Sequence, residues 1–512
     1  MNGAESLIAA AVSCGIEVCL ANPGTTELPL VNAMDTVPGL RGILCLHENV
    51  ATGAADGYAR MSGKPAMCLL HTGPGLANGL TNLHNARRAH SPIVNVIGEH
   101  ASWHRDADPL LASNIAHLAG WTSHHVATCS SAENISADMS GAVNAAWQSG
   151  GQIATLVFPH DLQLAKVEKT ISVGLETTEK TYSAERVGAA AKALKASKTA
   201  LLLGGEGLSK ACLRLAGRIA AATNSDLICD TFFSRMERGI DAPAVRKLPY
   251  FPDEALKLTG QYERVVIVGT RRPVAFFGYP GMPSYMTTEE QTVLLTGADE
   301  DTFGALEALA DELNAPDDFR IAEGGLPDRQ TGKLDATSLS LTIARLQPDN
   351  AIMMDEALTV GIPYFEASKC APRFSHLMLT GGAIGQGPSS ATGAAIACPD
   401  RKVINFQSDG CGAYSVQALW TQARENLDVL TIIANNQSYN ILNVEMQRAG
   451  LQEPGPIARS MAGLDKPSLE WAKIGEGMGV PSSSVDNVAD LEKAIERALA
   501  DKGPRLIEAV MS

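Results

Sequence analysis

The feature that most constrains the fold is an alternation repeated along the chain: a short apolar run, a polar or glycine-rich break, then a stretch with helical periodicity. Val18-Cys-Leu-Ala21 runs into Asn22-Pro23-Gly24, residues 43–46 into His47-Glu48, and residues 67–70 into His71-Thr-Gly-Pro-Gly75. After Glu48, small or apolar residues at Val50, Ala51, Ala54, Ala55 and Tyr58 recur at helical spacing. Strands that alternate with helices in this way predict a parallel sheet covered on both faces.

The theme recurs beyond the first 165 residues. Polar stretches near residues 166–183 and 317–337 flank a middle segment with strands predicted at 200–203 and 265–268 and a helical stretch at 208–222. A third unit opens at Ala351-Ile-Met-Met354 and runs to Glu508. For 512 residues, a prior of roughly 150 residues per domain gives about three domains. The predicted fold is α/β with three doubly wound parallel-sheet domains, at residues 1–165, 183–317 and 338–512.

Charge narrows the partners. Lys and Arg number 41 against 56 Asp and Glu, a net charge of −15, and basic clusters such as Arg87-Arg88 and Arg271-Arg272 are only pairs, so nucleic acid is not an expected partner. No Lys or Arg precedes Arg41, and no apolar run reaches the ~18 residues of a membrane span. The ten cysteines are scattered without a C-x-x-C pair, which reads as reduced, buried thiols and a cytoplasmic setting.

The segment richest in chemistry is Val403-Ile-Asn-Phe-Gln-Ser-Asp409-Gly410-Cys411-Gly412, followed by Val429-Leu-Thr-Ile-Ile-Ala-Asn435-Asn436. Between the apolar runs Val416, Leu419, Trp420, Ala423 and Leu427 mark one helix face, so the unit reads strand, helix, parallel strand. Asp409 and Asn436 are thereby expected just past the carboxyl ends of two strands, where open α/β sheets bind ligands. A carboxylate and an amide oxygen suit Mg²⁺, and Gly410 and Gly412 let backbone approach a phosphate at a helix start. The expected ligand is a Mg²⁺-bridged diphosphate.

This arrangement resembles the signature of thiamine-diphosphate-dependent enzymes, a Gly-Asp-Gly followed some two dozen residues later by Asn-Asn. Ser408 replaces the first glycine and removes no metal ligand. Asn22-Pro-Gly-Thr-Thr-Glu27, the Ala-Ala-Asp-Gly-Tyr-Ala-Arg within residues 48–60, and Thr72-Gly-Pro-Gly75 with Asn78 are similar to the family's pyrimidine-binding domain. The resemblance covers essentially the whole chain and points to the acetolactate synthase and benzoylformate decarboxylase branch. It implies pyrimidine-binding, central and diphosphate-binding domains in that order, with thiamine diphosphate and Mg²⁺ as cofactors.

The resemblance also implies roles. Glu48 would bond the cofactor's pyrimidine nitrogen and activate it. Asp409, Asn436 and the Ser438 main-chain carbonyl would hold Mg²⁺. Thr359, Gly382, Ile384, Gly410, Cys411, Tyr439, Asn440 and Ile441 would line the cofactor, with Ile384 wedged under its bend. His71 and Thr25 would handle substrate, a small 2-oxo acid.

Departures separate the possible activities. The second active-site histidine of the decarboxylases has no counterpart in Val274-Ala-Phe-Phe-Gly278. Gly204-Gly-Glu-Gly207 lacks the further glycine pattern of the FAD-binding members, so FAD is not expected. Glu99 stands for a glutamine, and the acceptor-contacting tryptophan of true acetolactate synthases falls near Glu445. The expected activity is decarboxylation of a 2-oxo acid with carboligation, acetolactate synthase-like. The alternatives are a simple decarboxylase and a catalytically silent cofactor-binding paralogue. A homodimer or homotetramer with sites between subunits is implied.

Overall fold

The computed structural model describes residues 1–168, 179–451 and 453–511. They form two compact units, one of residues 1–177, 329–364 and 379–512, the other of residues 178–328 and 365–378. Ten of the residues expected to form the first linker, 169–178, lie outside the described residues.

The first unit holds two parallel sheets. One comprises β1 (Val18–Asn22), β2 (Arg41–Leu44), β3 (Ala66–His71), β4 (Ile93–Glu99), β5 (His125–Thr128) and β6 (Ile153–Pro159), in the order β2-β1-β3-β4-β6-β5. β3, β4 and β6 are almost entirely buried, the consequence of helices on both faces. One face is covered by the helices Gly3–Ser13 and Ile135–Trp147, whose Leu7, Ile8, Ile135, Met139 and Val143 share a core with Met67, Val94 and Leu156. Strand β2 lies two residues earlier than the apolar run suggested. The Cys45 amide still bonds the Ala21 carbonyl at 2.8 Å, but Leu46 is exposed and the His47 side chain caps the next helix.

That helix, Glu48–Ser62, departs from the one-sided pattern of an amphipathic helix, since all but its last residue are buried. It packs against the helix Gly387–Ala397 through glycines. A Cβ on Gly57 would stand 2.0 Å from the Ser390 carbonyl oxygen, and one on Gly393 1.8 Å from that of Ala54. So close an approach buries the polar side as well, and Asp56 and Arg60 answer it with an ion pair of 2.7 Å.

The second unit places β7 (Thr199–Leu203), β8 (Asp226–Cys229), β10 (Val245–Lys247), β11 (Arg264–Val268) and β12 (Thr292–Leu294) in a parallel sheet ordered β10-β8-β7-β11-β12. It also pairs β9 (Arg235–Arg238) antiparallel with β14 (Phe374–Met378). The helix expected at 208–222 runs Lys210–Thr223, capped by Ser209 after a short 3₁₀ turn.

The other sheet of the first unit contains β13 (Ala351–Glu356), β15 (Val403–Ser408), β16 (Val429–Asn435), β17 (Ser482–Val485) and β18 (Arg505–Val510), all parallel, with β13 beside β15 and β15 beside β16. The chain therefore has three parallel-sheet α/β layers. Its ten cysteines are free and nine are buried. Among the described residues no helix is long and apolar enough to cross a membrane.

Candidate active site

In the first sheet the chain runs from β1 outward to β2 and then returns to the other side of β1 as β3, so a crevice opens at the carboxyl ends of β1 and β3. Asn22 ends β1 and His71 ends β3. Glu48 starts the helix after β2 and is 6% exposed. Its two oxygens accept from Asn22 Nδ2 at 3.2 Å and Asn78 Nδ2 at 3.0 Å. Both donors are neutral amides, so the carboxylate is oriented without being neutralised by a cation.

His71 is oriented by a residue to which the sequence analysis assigned no role. Glu27 is fully buried, and its Oε2 lies 2.8 Å from His71 Nδ1 and 2.8 Å from the donating Gly24 amide. If Nδ1–H donates to this carboxylate, Nε2 is the nitrogen left for other partners. The Thr26 hydroxyl donates to the other oxygen of Glu27 and lies 3.1 Å from His71 Nδ1. Thr25 is exposed at the start of the same turn, so the hydroxyl beside His71 is that of Thr26. The loop glycines belong to this arrangement. A Cβ on Gly24 would meet the His71 ring at 2.3 Å, and one on Gly98 would meet Glu27 Oε1 at 1.8 Å. A signal for Glu27 was present in its spacing three residues after Gly24, a helix-start pattern.

In the other sheet of the unit Asp409 and Asn436 follow β15 and β16 directly, and Ser408 pairs with Ala434 in register. Asp409 is 1% exposed; its oxygens accept from the amides of Gly410 and Gln437, each at 2.7 Å. Burial pushes its carboxyl above the usual range, against the pull of these amides. Asn436 Oδ1 accepts from the Ser438 amide at 3.0 Å. Tyr439 packs over Gly410, where a Cβ would meet its ring at 2.4 Å. Asn440 and Ile441 open the helix Asn440–Arg448. Burial raises the Cys411 thiol, so it is a packing group rather than a nucleophile.

Thr359 lies in the first turn of the helix that starts at Leu358, and Gly382 and Ile384 lie in the loop before Gly387–Ala397. That loop is joined to the first sheet's helix Thr72–Ala89. Asn85 Nδ2 donates to the Ala383 carbonyl at 2.7 Å, and Asn82 Nδ2 is shared between the Asn49 carbonyl at 2.8 Å and the Gly385 carbonyl at 3.4 Å. The neighbour of Glu48 and the neighbour of Ile384 thus share one amide. Three of the eleven non-glycine described residues with positive φ, Thr72, Leu358 and Gln437, lie within two residues of the ends of β3, β13 and β16.

The donors fit a Mg²⁺ diphosphate. Asp409 is a buried carboxylate with no Lys, Arg or His paired to it among the described residues, and such a charge calls for a cation. Among the described residues no group of three His, Cys, Asp or Glu could hold a metal by itself. A cation there must draw on amide and carbonyl oxygens and on its ligand's phosphates, the usual habit of Mg²⁺.

The N-terminal thiamine pyrophosphate binding domain model matches residues 1–126 and the C-terminal one residues 362–509. The chain belongs to the thiamine pyrophosphate enzyme family. A Mycobacterium tuberculosis protein provisionally named acetolactate synthase large subunit IlvX is 43% identical over 100% of this chain and 99% of its own length. Benzoylformate decarboxylase of Pseudomonas aeruginosa is 26% identical over 96% of each chain. In fold, the chain is similar to a thiamine diphosphate-dependent 4-hydroxybenzoylformate decarboxylase of Rhodococcus jostii RHA1, with TM-score 0.86, 22% identity and coverage of 100% and 99%. The first matched range takes in β1 to β4 of one sheet of the first unit, and the second takes in β15 to β17 of the other.

Proposed function

We propose that this chain is a thiamine-diphosphate- and Mg²⁺-dependent enzyme that releases CO₂ from a small 2-oxo acid and passes the remaining fragment to a second carbonyl compound, in the manner of acetolactate synthases. The observation that carries the reading is the buried Glu48 carboxylate, held by two neutral amides at the sheet crevice. When bound, the cofactor would supply a nucleophilic carbon and a sink for the electrons left by loss of CO₂.

The chain's own residues do the rest. Glu48 stabilises the protonated pyrimidine nitrogen. Asp409 and Asn436 hold Mg²⁺ by their side chains and Ser438 by its carbonyl, with Gly410, Cys411, Tyr439, Asn440, Ile441 and Thr359 along the diphosphate. Gly382 and Ile384 support the bend between the rings. Thr25 binds the substrate carboxylate and His71 moves a proton. On this reading residues 1–165 bind the pyrimidine, 183–317 form the central domain and 338–512 bind the diphosphate. The protein works in the cytoplasm as a homodimer or homotetramer with sites between subunits.

A second reading, simple decarboxylation of the benzoylformate decarboxylase type, is favoured by the Glu27–His71 pair, which equips the crevice to protonate the fragment. A silent paralogue is disfavoured because Glu48 and Asp409 both remain. Purified protein with thiamine diphosphate, Mg²⁺ and a panel of 2-oxo acids, followed for CO₂ and for coupled products, tests the proposal. Coupled products support carboligation, aldehydes alone support the second reading, and no CO₂ from any member sinks both.

A further inference from the structure

The loop that carries Ile384 is fastened from beneath by a carboxylate to which neither the family match nor the proposed mechanism assigns a role. Glu356, the last residue of β13, is 1% exposed. Its Oε1 accepts from the Gly385 amide at 2.8 Å and the Gln386 amide at 3.3 Å, and its Oε2 accepts from the Gly387 amide at 2.7 Å and Gln407 Nε2 at 2.9 Å. Four N–H groups converge on one anion, and three are consecutive backbone amides at the start of the helix Gly387–Ala397. Such charge-assisted bonds are roughly twice as strong as neutral ones, and the helix amino end favours the charge.

Other polar groups of the loop bond the helices Glu48–Ser62 and Thr72–Ala89. Besides the Asn82 and Asn85 bonds, His84 Nε2 lies 3.0 Å from the Gly381 carbonyl and Gln386 Nε2 donates to Asp56 at 2.6 Å. The chain turns twice through positive φ, +78° at Gly382 and +96° at Gly385, on either side of Ile384. Gly387 lets the carboxylate close in, because a Cβ there would stand 2.7 Å from Glu356 Oε2 and 2.0 Å from Gln407 Oε1. Ile384 therefore projects from a turn whose following amides are held by an anion and whose Gly381, Ala383 and Gly385 carbonyls are held by imidazole and amide donors.

We propose that Glu356 is a positioning residue: its charge fixes the turn that presents Ile384, and thereby the bend of the bound cofactor. This rests on the reading that Ile384 supports that bend. A glutamine at position 356 would keep the shape but turn an N–H₂ group toward amides that can only donate, so the turn relaxes while the surrounding helices stay packed.

The test uses the full chain with Glu356→Gln and, as a milder change, Gln407→Leu. In the cofactor-free protein, hydrogen exchange at the amides of Gly385, Gln386 and Gly387 should rise about tenfold or more in Glu356→Gln, and that of the helix Glu48–Ser62 should stay within about threefold. In the loaded protein, exchange of the thiazolium proton should fall at least about tenfold while cofactor affinity changes less than about threefold, a split that mere loss of structure does not produce. Gln407→Leu should shift both readouts the same way by about threefold, and it decides the matter if Glu356→Gln fails to fold. Unchanged exchange at the three amides overturns the proposal. If the wild-type protein does not bind thiamine diphosphate, the functional reading fails instead, and the cofactor-free measurement still decides the clamp.

Discussion

Glu48→Gln separates what this side chain contributes to the fold from what it contributes to chemistry. The substitution keeps length and removes one charge. Because Asn22 and Asn78 both present N–H₂ groups to the carboxylate, the new amide must face one of them with its own N–H₂, and that asparagine must rotate to offer oxygen. Losing one hydrogen bond to a charged group costs about 1.5–3 kcal/mol. Removing a buried carboxylate with no cationic partner recovers energy of similar size. The two oppose, so the cofactor-free protein should shift in stability by no more than about 1–2 kcal/mol.

The effect on chemistry has no such compensation. A neutral amide cannot stabilise a protonated pyrimidine nitrogen, and acid–base assistance of this kind is worth about 10²–10⁴ in rate. At 1.36 kcal/mol per decade, that is about 2.7–5.4 kcal/mol of barrier. NMR-monitored deuterium exchange of the thiazolium proton measures the rate, with calorimetry to establish that the cofactor is bound. Exchange at the wild-type rate in the loaded variant would refute the assignment of Glu48.

Asp409→Asn should abolish Mg²⁺-dependent cofactor binding by calorimetry. The same variant tests a pH effect. Since burial raises the Asp409 carboxyl in the folded state, the folded chain binds the proton more tightly than the unfolded one, and stability is lost as pH rises from the ordinary carboxylate value through the raised one. Cofactor-free wild type should lose melting temperature relative to Asp409→Asn over that window, and parallel curves would contradict it. Asp56→Asn should destabilise the protein by about 3–5 kcal/mol in urea unfolding, because Arg60 is left charged and buried; a cost below about 1 kcal/mol would mean that the pair is replaceable. Glu27→Gln should lower product formation about 10–100-fold with little change in cofactor affinity, and full activity would show that His71 needs no orienting carboxylate.

The chain's local chemistry is enough to place the elements. Continuous apolar runs ending in Asn22, His71 and Ser408 are strands because each is covered on both faces, and the breaks after them are where parallel strands present ligands. For the same reason Asp409 and Asn436 could be brought together across 27 residues of sequence, since two consecutive parallel strands put their ends side by side. Glu48 was singled out by the family resemblance, and the structure shows it buried between the amides of Asn22 and Asn78.

What the sequence could not show depends on how loops turn. That Thr26 rather than Thr25 touches His71, that Glu27 turns inward, and that Asn82 reaches both Asn49 and Gly385 follow from side-chain directions set by packing between helices far apart in sequence. By resemblance alone Glu356 falls, with Thr359, along the cofactor and its diphosphate. Only the tertiary fold shows it beneath three backbone amides, because a turn with two positive-φ glycines aims those amides at it. Spacing along a strand or helix determines which residues share a face. Which hydrogen bonds close between two such faces is decided when they are pressed together and an unpaired buried polar group becomes costly.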